Sequence, residues 1–198
     1  GAGVLRVVQD VWWYTKRHTN VYLVVDTSGS MEGTKLSDAK VALQTFLDQI
    51  KGNEERMGLI SFSSRVREEV PLGQLTTNRD KLTAAIGGLE AGGNTALLDA
   101  VNLAYRRLQA LNDRERINAI VVMTDGQENN SSIGLSDLVR SIQLGNRQGP
   151  PVVVFCIAYG KDADMRTMER IAGAADGQAR QGDLNTIRQL YKMISAYF

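Results

Sequence analysis

Apolar positions along the chain follow two alternating rhythms. Val21–Asp26 is an unbroken apolar run closed by a carboxylate, the pattern of a strand covered on both faces. Leu36, Ala39, Leu43, Phe46, Leu47 and Ile50 then recur at helical spacing, with Gly52 as a stop. Met57–Phe62 and Val66–Val70 flank the short turn Ser63-Ser64-Arg65 and predict an antiparallel pair of strands. Arg79–Ile86 predicts a short helix ended by Gly87-Gly88. After the loop Gly92-Gly93-Asn94-Thr95, a helical stripe runs through Leu97, Val101, Ala104, Leu108 and Leu111. Ile117–Thr124 repeats the design of the first strand and is followed by Asp125. Leu135, Leu138, Val139 and Ile142 mark the inward face of the next helix, and Val152–Ala158 a third central strand. Met165–Ala172 and Leu184–Ile194 predict the last two helices, with a short strand near Gln178–Arg180 between them.

Strands alternating with helices predict an α/β fold: a mostly parallel, doubly wound sheet with helices on both faces, a three-layer αβα sandwich. The chain shows no internal repeat and no linker. Its start differs from the rest: Val4–Thr15, with Val7, Val8, Val11, Trp12 and Trp13, predicts a helix. Residues 1–19 are therefore assigned as a helical lead-in and 20–198 as the domain. The two tryptophans either pack on the domain or faced a neighbouring one upstream. The chain opens on Gly1-Ala-Gly3 and not on Met, which fits a piece of a larger multidomain chain.

Composition narrows the partners. Across 198 residues, 23 Lys and Arg balance 22 Asp and Glu, for a net charge of +1, so no bulk field favours nucleic acid or an anionic membrane. No apolar run reaches the roughly 20 residues needed to span a bilayer, so direct membrane insertion is not expected. The single cysteine, Cys156, lies in the apolar run Val152–Ile157 and is read as a core thiol. His18, the only histidine, lies upstream of the first strand and is expected at the surface. Without a placed histidine or reactive cysteine, the usual nucleophile–base pairs cannot be built, and Ser28 and Ser30 lack an evident base.

The chemistry concentrates in Asp26-Thr-Ser28-Gly-Ser30-Met31. One carboxylate and two hydroxyls stand at alternate positions, with Gly29 free to let the backbone curl around a common centre. In doubly wound sheets, ligands bind outside the carboxyl ends of the strands, where the winding direction reverses. Asp26 and Asp125 each close an apolar strand and so share that rim, and the loop holding Thr95 enters a helix from the same side. Asp26, Ser28, Ser30, Thr95 and Asp125 thus converge as an all-oxygen set. Such a set disfavours zinc and copper and favours Mg²⁺ or Mn²⁺, with Ca²⁺ also compatible.

Asp26-Thr-Ser28-Gly-Ser30, Gly93-Asn-Thr95 and Thr124-Asp125-Gly126 resemble the metal-ion-dependent adhesion site, or MIDAS, of the von Willebrand factor type A family. The likeness covers about residues 20 to 198. It implies a six-stranded Rossmann-like sheet of order 3-2-1-4-5-6 with one antiparallel edge strand. It also implies a non-enzymatic protein-binding or adhesion module, whose metal keeps an open position for an Asp or Glu of a protein partner. All five motif positions are filled. The absence of a flanking cysteine pair and the terse loops make the chain more similar to bacterial members. Val21–Met31 and Tyr191–Phe198 resemble domains that follow extracellular solute-binding modules, which implies an extracellular or cell-surface location; a cytoplasmic one is the alternative.

Around this set, Asp99, one turn after Thr95, is either an orienter of the metal loops or an ordinary early-helix carboxylate. Met31, Glu32, Asn94, Gly126, Gln127 and Glu128, with Asn129 and Asn130, are candidate rim residues near the metal, set against a merely solvated loop. Asp162 and Asp164 are read as a helix start, with a second metal site as the alternative. Two rival functions stand beside adhesion: an intracellular adaptor for an ATPase-driven metal-insertion or remodelling complex, and a metal-dependent phosphohydrolase. The second usually needs an aspartate two positions after the first, where Ser28 stands, and a positioned lysine.

Overall fold

The computed structural model describes residues 17–182 and Gln189. Strand β1 (Thr19–Asp26) is followed by a one-turn 3-10 helix (Gly29–Met31) and helix α1 (Thr34–Gln49). Then come β2 (Arg56–Phe62), β3 (Val66–Gln74), α2 (Leu75–Gly87) and α3 (Leu97–Ala110). The rest is β4 (Ile117–Thr124), α4 (Leu135–Gln148), β5 (Val152–Tyr159), α5 (Met165–Ala174) and β6 (Ala179–Gly182). The six strands form one sheet of order β3-β2-β1-β4-β5-β6. All neighbours are parallel except β2 and β3.

Every residue of β1 is buried, as its unbroken apolar run requires of a central strand. Strand alternation divides its side chains between two layers. Val21, Leu23 and Val25 pack with Leu36, Leu43 and Phe46 of α1 and Leu82 and Ile86 of α2. Tyr22 and Val24 pack with Val101 and Leu108 of α3, Leu138 and Ile142 of α4 and Met168 and Ile171 of α5. Cys156 lies in that second layer, and burial pushes its thiol up to about 12, which leaves it unreactive. Asp164 caps α5, its side chain accepting from Thr167 N–H at 3.1 Å, as its place at a helix start suggests.

Two boundaries differ from the sequence expectation. Strand β3 continues past Pro71 to Gln74, which an edge strand tolerates because its outer donors have no partner strand. Helix α2 begins at Leu75 rather than Arg79, because Leu75 is buried in the core and Asn78 ties the first turn to the sheet, donating to Met57 O and Pro71 O. Among the described residues no helix is long and apolar enough to cross a membrane. The predicted helices Val4–Thr15 and Leu184–Ile194 and the segment Tyr191–Phe198 lie outside the described residues, apart from Gln189; of the lead-in 1–19, residues 17–19 are described, and Thr19 already belongs to β1.

Candidate metal centre

Strands β1 and β4 lie side by side at the centre, on the switch point where the winding reverses, and both end on the same rim. Asp26 and Thr124 are the last residues of these strands, so Asp125 and the loop after Asp26 begin together. Hydrogen bonds across the backbone stitch the loops: Gly29 N–H donates to Gly93 O at 3.0 Å, and Gly92 N–H to Thr27 O at 2.9 Å. The loop carrying Thr95 is likewise bound to the loop after Asp125, where Thr95 N–H donates to Asn129 Oδ1 at 2.9 Å.

These constraints bring the five predicted donors together. Ser28 and Ser30 hydroxyl oxygens stand 3.1 Å apart, and Ser30 Oγ donates to Asp125 Oδ1 at 2.7 Å. Asp26 Oδ1 accepts from Ser28 N–H at 2.7 Å, and its Oδ2 from Thr124 Oγ1 at 2.6 Å. Thr95 and Asp26 approach each other over Gly126: a Cβ there would meet Thr95 Oγ1 at 3.3 Å and Asp26 Oδ2 at 3.4 Å. Gly126 is thus a buried spacer between two donors and not a surface contact. Asp26, Ser28, Thr95 and Asp125 are buried, whereas Ser30 is exposed and forms the mouth. Burial drives the Asp26 carboxyl above its ordinary range, a trend that the nearby Asp125 charge reinforces and the Ser28 and Thr124 hydrogen bonds oppose.

The 3.1 Å and 2.7 Å separations along Ser28, Ser30 and Asp125 are those of hydrogen bonds, and they hold three oxygens close enough to share one cation. The donor set is two carboxylates and three hydroxyls. Among the described residues no group of three or more His, Cys, Asp or Glu gathers elsewhere to compete for a metal.

The structure corrects several rim assignments. Met31 is fully buried in the core layer beneath α1, because the 3-10 turn sends position 31 inward as it turns Ser30 outward. Glu128 is half-buried and turned back on its own loop. Its Oε2 accepts from Leu98 N–H and Ser131 Oγ, and its Oε1 from Asn130 N–H and Ser131 N–H, which caps α3 and braces the loop. Asp99 also braces this loop, accepting from Ser132 N–H and Oγ and from Ile133 N–H, rather than reaching the donors. Asn94 and Gln127 are exposed on the rim, with Asn94 Nδ2 3.3 Å from Asn130 Oδ1. His18 lies at the opposite end of β1, its side chain 52% exposed and 3.2 Å from Glu55.

One residue was missed. The Lys35 ammonium, in the first turn of α1, pairs with Asp125 Oδ2. A cation there opposes the helix dipole, and that anomaly was the readable signal. The pair also bears on the serines: the carboxylate that accepts from Ser30 is the one that Lys35 holds. Beside the centre, a recess of about 340 Å³ borders Thr27 and Gly92 and carries Arg65, Arg67, Glu69 and Glu90.

The family model of the von Willebrand factor type A domain matches residues 20–192. Inter-alpha-trypsin inhibitor heavy chain H4 of Homo sapiens is 30% identical over 171 residues, covering 82% of this chain. The chain spans only 18% of that relative's length. This human relative also means that sequence likeness is not confined to bacterial members. Among solved structures, a von Willebrand factor type A protein from Catenulispora acidiphila superposes with a TM-score of 0.76 at 23% identity, over 91% of this chain and 42% of that one. Proximal thread matrix protein 1 from the mussel byssus, with a zinc-occupied MIDAS motif, gives 0.72 at 18% identity, over 91% and 45%.

Proposed function

The chain belongs to the von Willebrand factor type A family, and from that premise we propose that it is a non-enzymatic binding module with an intact MIDAS. In this proposal Asp26, Ser28, Ser30, Thr95 and Asp125 hold a divalent cation, directly or through water, and the cation meets an acidic side chain of a protein partner. The observation that carries it is the run of oxygens from Ser28 through Ser30 to Asp125, spaced 3.1 and 2.7 Å apart at the mouth of a buried rim.

A bound dication supplies a Lewis-acidic point that an outside carboxylate can complete. The protein's part is placement. Asp26 is held by Ser28 N–H and Thr124 Oγ1, so its charge is fixed at the floor of the site. Ser30 lies at the mouth, and the neighbouring recess with Arg65 and Arg67 offers polar surface to the segment around the partner's acid. Mg²⁺ or Mn²⁺ is the proposed ion. Zn²⁺ has similar metal–oxygen distances and occupies the motif of the byssus neighbour, so it belongs in the same titration. An extracellular or cell-surface setting, within a larger multidomain chain, fits adhesion of this kind.

The test is carboxylate binding to the metal-loaded domain. With Mn²⁺ bound, added acetate should displace coordinated water and lower water-proton relaxivity. An unchanged relaxivity at saturating acetate would contradict an open, carboxylate-seeking position.

A further inference from the structure

Lys35 is the second residue of α1, entered through Gly33 at φ 85°. Its side chain runs beside Gly160, after β5, and its ammonium reaches Asp125 Oδ2. The Asp125 side chain is fully buried, whereas that of Lys35 is 41% exposed. The other carboxylate is treated differently: Asp26 receives hydrogen bonds from the neutral donors Ser28 N–H and Thr124 Oγ1 and forms no ion pair among the described residues. The two acids are therefore not equivalent. Asp26 meets a cation with no ammonium beside it among the described residues, and Asp125 is shared between a cation and Lys35.

Formal charges show the consequence. Asp26 and Asp125 together carry two negative charges, and Lys35 reduces the site to one. A dication then makes the loaded site a net monocation. With a neutral residue at position 35, the loaded site would be neutral.

We propose that Lys35 sets the charge of this site. It orients Asp125 so that Oδ1 faces Ser30, weakens the hold on the dication by sharing that carboxylate, and leaves the loaded site one positive charge that an outside carboxylate satisfies. This inference rests on the metal-site proposal above. The ammonium and the dication repel across a partly buried site, where charge–charge interactions are stronger than in bulk water. Removing the ammonium should therefore tighten metal binding, the opposite of what damage to a site does.

The experiment is calorimetric titration of MnCl₂ into EDTA-stripped, dialysed protein, comparing wild type with Lys35→Met and Lys35→Arg. Lys35→Met should bind Mn²⁺ about tenfold more tightly, and Lys35→Arg close to wild type. Acetate binding to the Mn²⁺-loaded protein, followed by water-proton relaxation, should weaken in Lys35→Met and persist in Lys35→Arg. Lys35→Gln replaces Lys35→Met if the latter does not fold. Mn²⁺ affinity in the neutral variant that is equal to or weaker than wild type overturns this inference alone. A wild-type protein that takes up no Mn²⁺ overturns the metal-site proposal, and this inference with it.

Discussion

Thr95 and Asn129 hold each other at both ends: Thr95 N–H donates to Asn129 Oδ1 at 2.9 Å, and Asn129 N–H donates to Thr95 O at 3.1 Å. The clasp joins the threonine loop to the loop after Asp125 and so sets where the Thr95 hydroxyl stands. Asn129→Ala removes the side-chain acceptor and leaves a part-buried N–H without its partner, which costs about 1–3 kcal/mol. Metal affinity should fall by roughly 10- to 100-fold, as when a residue behind a ligand is removed. Circular dichroism should show the fold retained. Unchanged Mn²⁺ affinity would mean that Thr95 does not depend on the clasp.

Asp26 gives a pH dependence whose sign follows from its burial. Its folded carboxyl is raised above the ordinary aspartate range, so between those two values the folded state binds more protons than the unfolded chain. Stability of metal-free protein should therefore fall as pH rises through that window. Asp26→Asn keeps the shape without the charge. In EDTA it should melt at an equal or higher temperature than wild type, with a flatter melting-temperature profile above pH 4, while losing metal binding. A lower melting temperature across the whole range would show that the Asp26 charge stabilises the metal-free fold.

Met31 and Glu32 are adjacent but should respond differently. Met31 is fully buried, so Met31→Ala should destabilise by about 2–5 kcal/mol in chemical denaturation. Glu32 is exposed, and Glu32→Ala should stay within about 0.5 kcal/mol. Equal, small effects would place Met31 on the surface.

The sheet and its ligand rim were legible because burial on both faces leaves a distinctive trace. Val21–Val25 and Ala119–Met123 are apolar without interruption, and the abrupt carboxylates at Asp26 and Asp125 mark where each strand leaves the core. Alternation of Ser28 and Ser30 around Gly29 read correctly as two hydroxyls near one point, 3.1 Å apart. Spacing alone could not show that a turn of 3-10 helix follows, and that turn is what buries Met31. Glu128 was opaque for another reason: its four donors come from Leu98, Asn130 and Ser131, and only the Leu98 contact is remote in sequence. The local pattern of Glu128 with Asn130 and Ser131 was an available sign of a carboxylate turned back on its own loop. Helix α2 was placed late because strand β3 runs through Gly73 to Gln74 and the helix starts at the next residue, Leu75, with no loop between them.

The central claim is that one oxygen-lined rim binds a small dication, and titration of the EDTA-stripped domain with MgCl₂ and MnCl₂ tests it most directly. Wild type should show a single site, and Ser28→Ala with Ser30→Ala should abolish it while the melting curve in EDTA stays close to wild type. Equal Mn²⁺ uptake by wild type and the double variant would contradict the assignment of these serines, and with it the site.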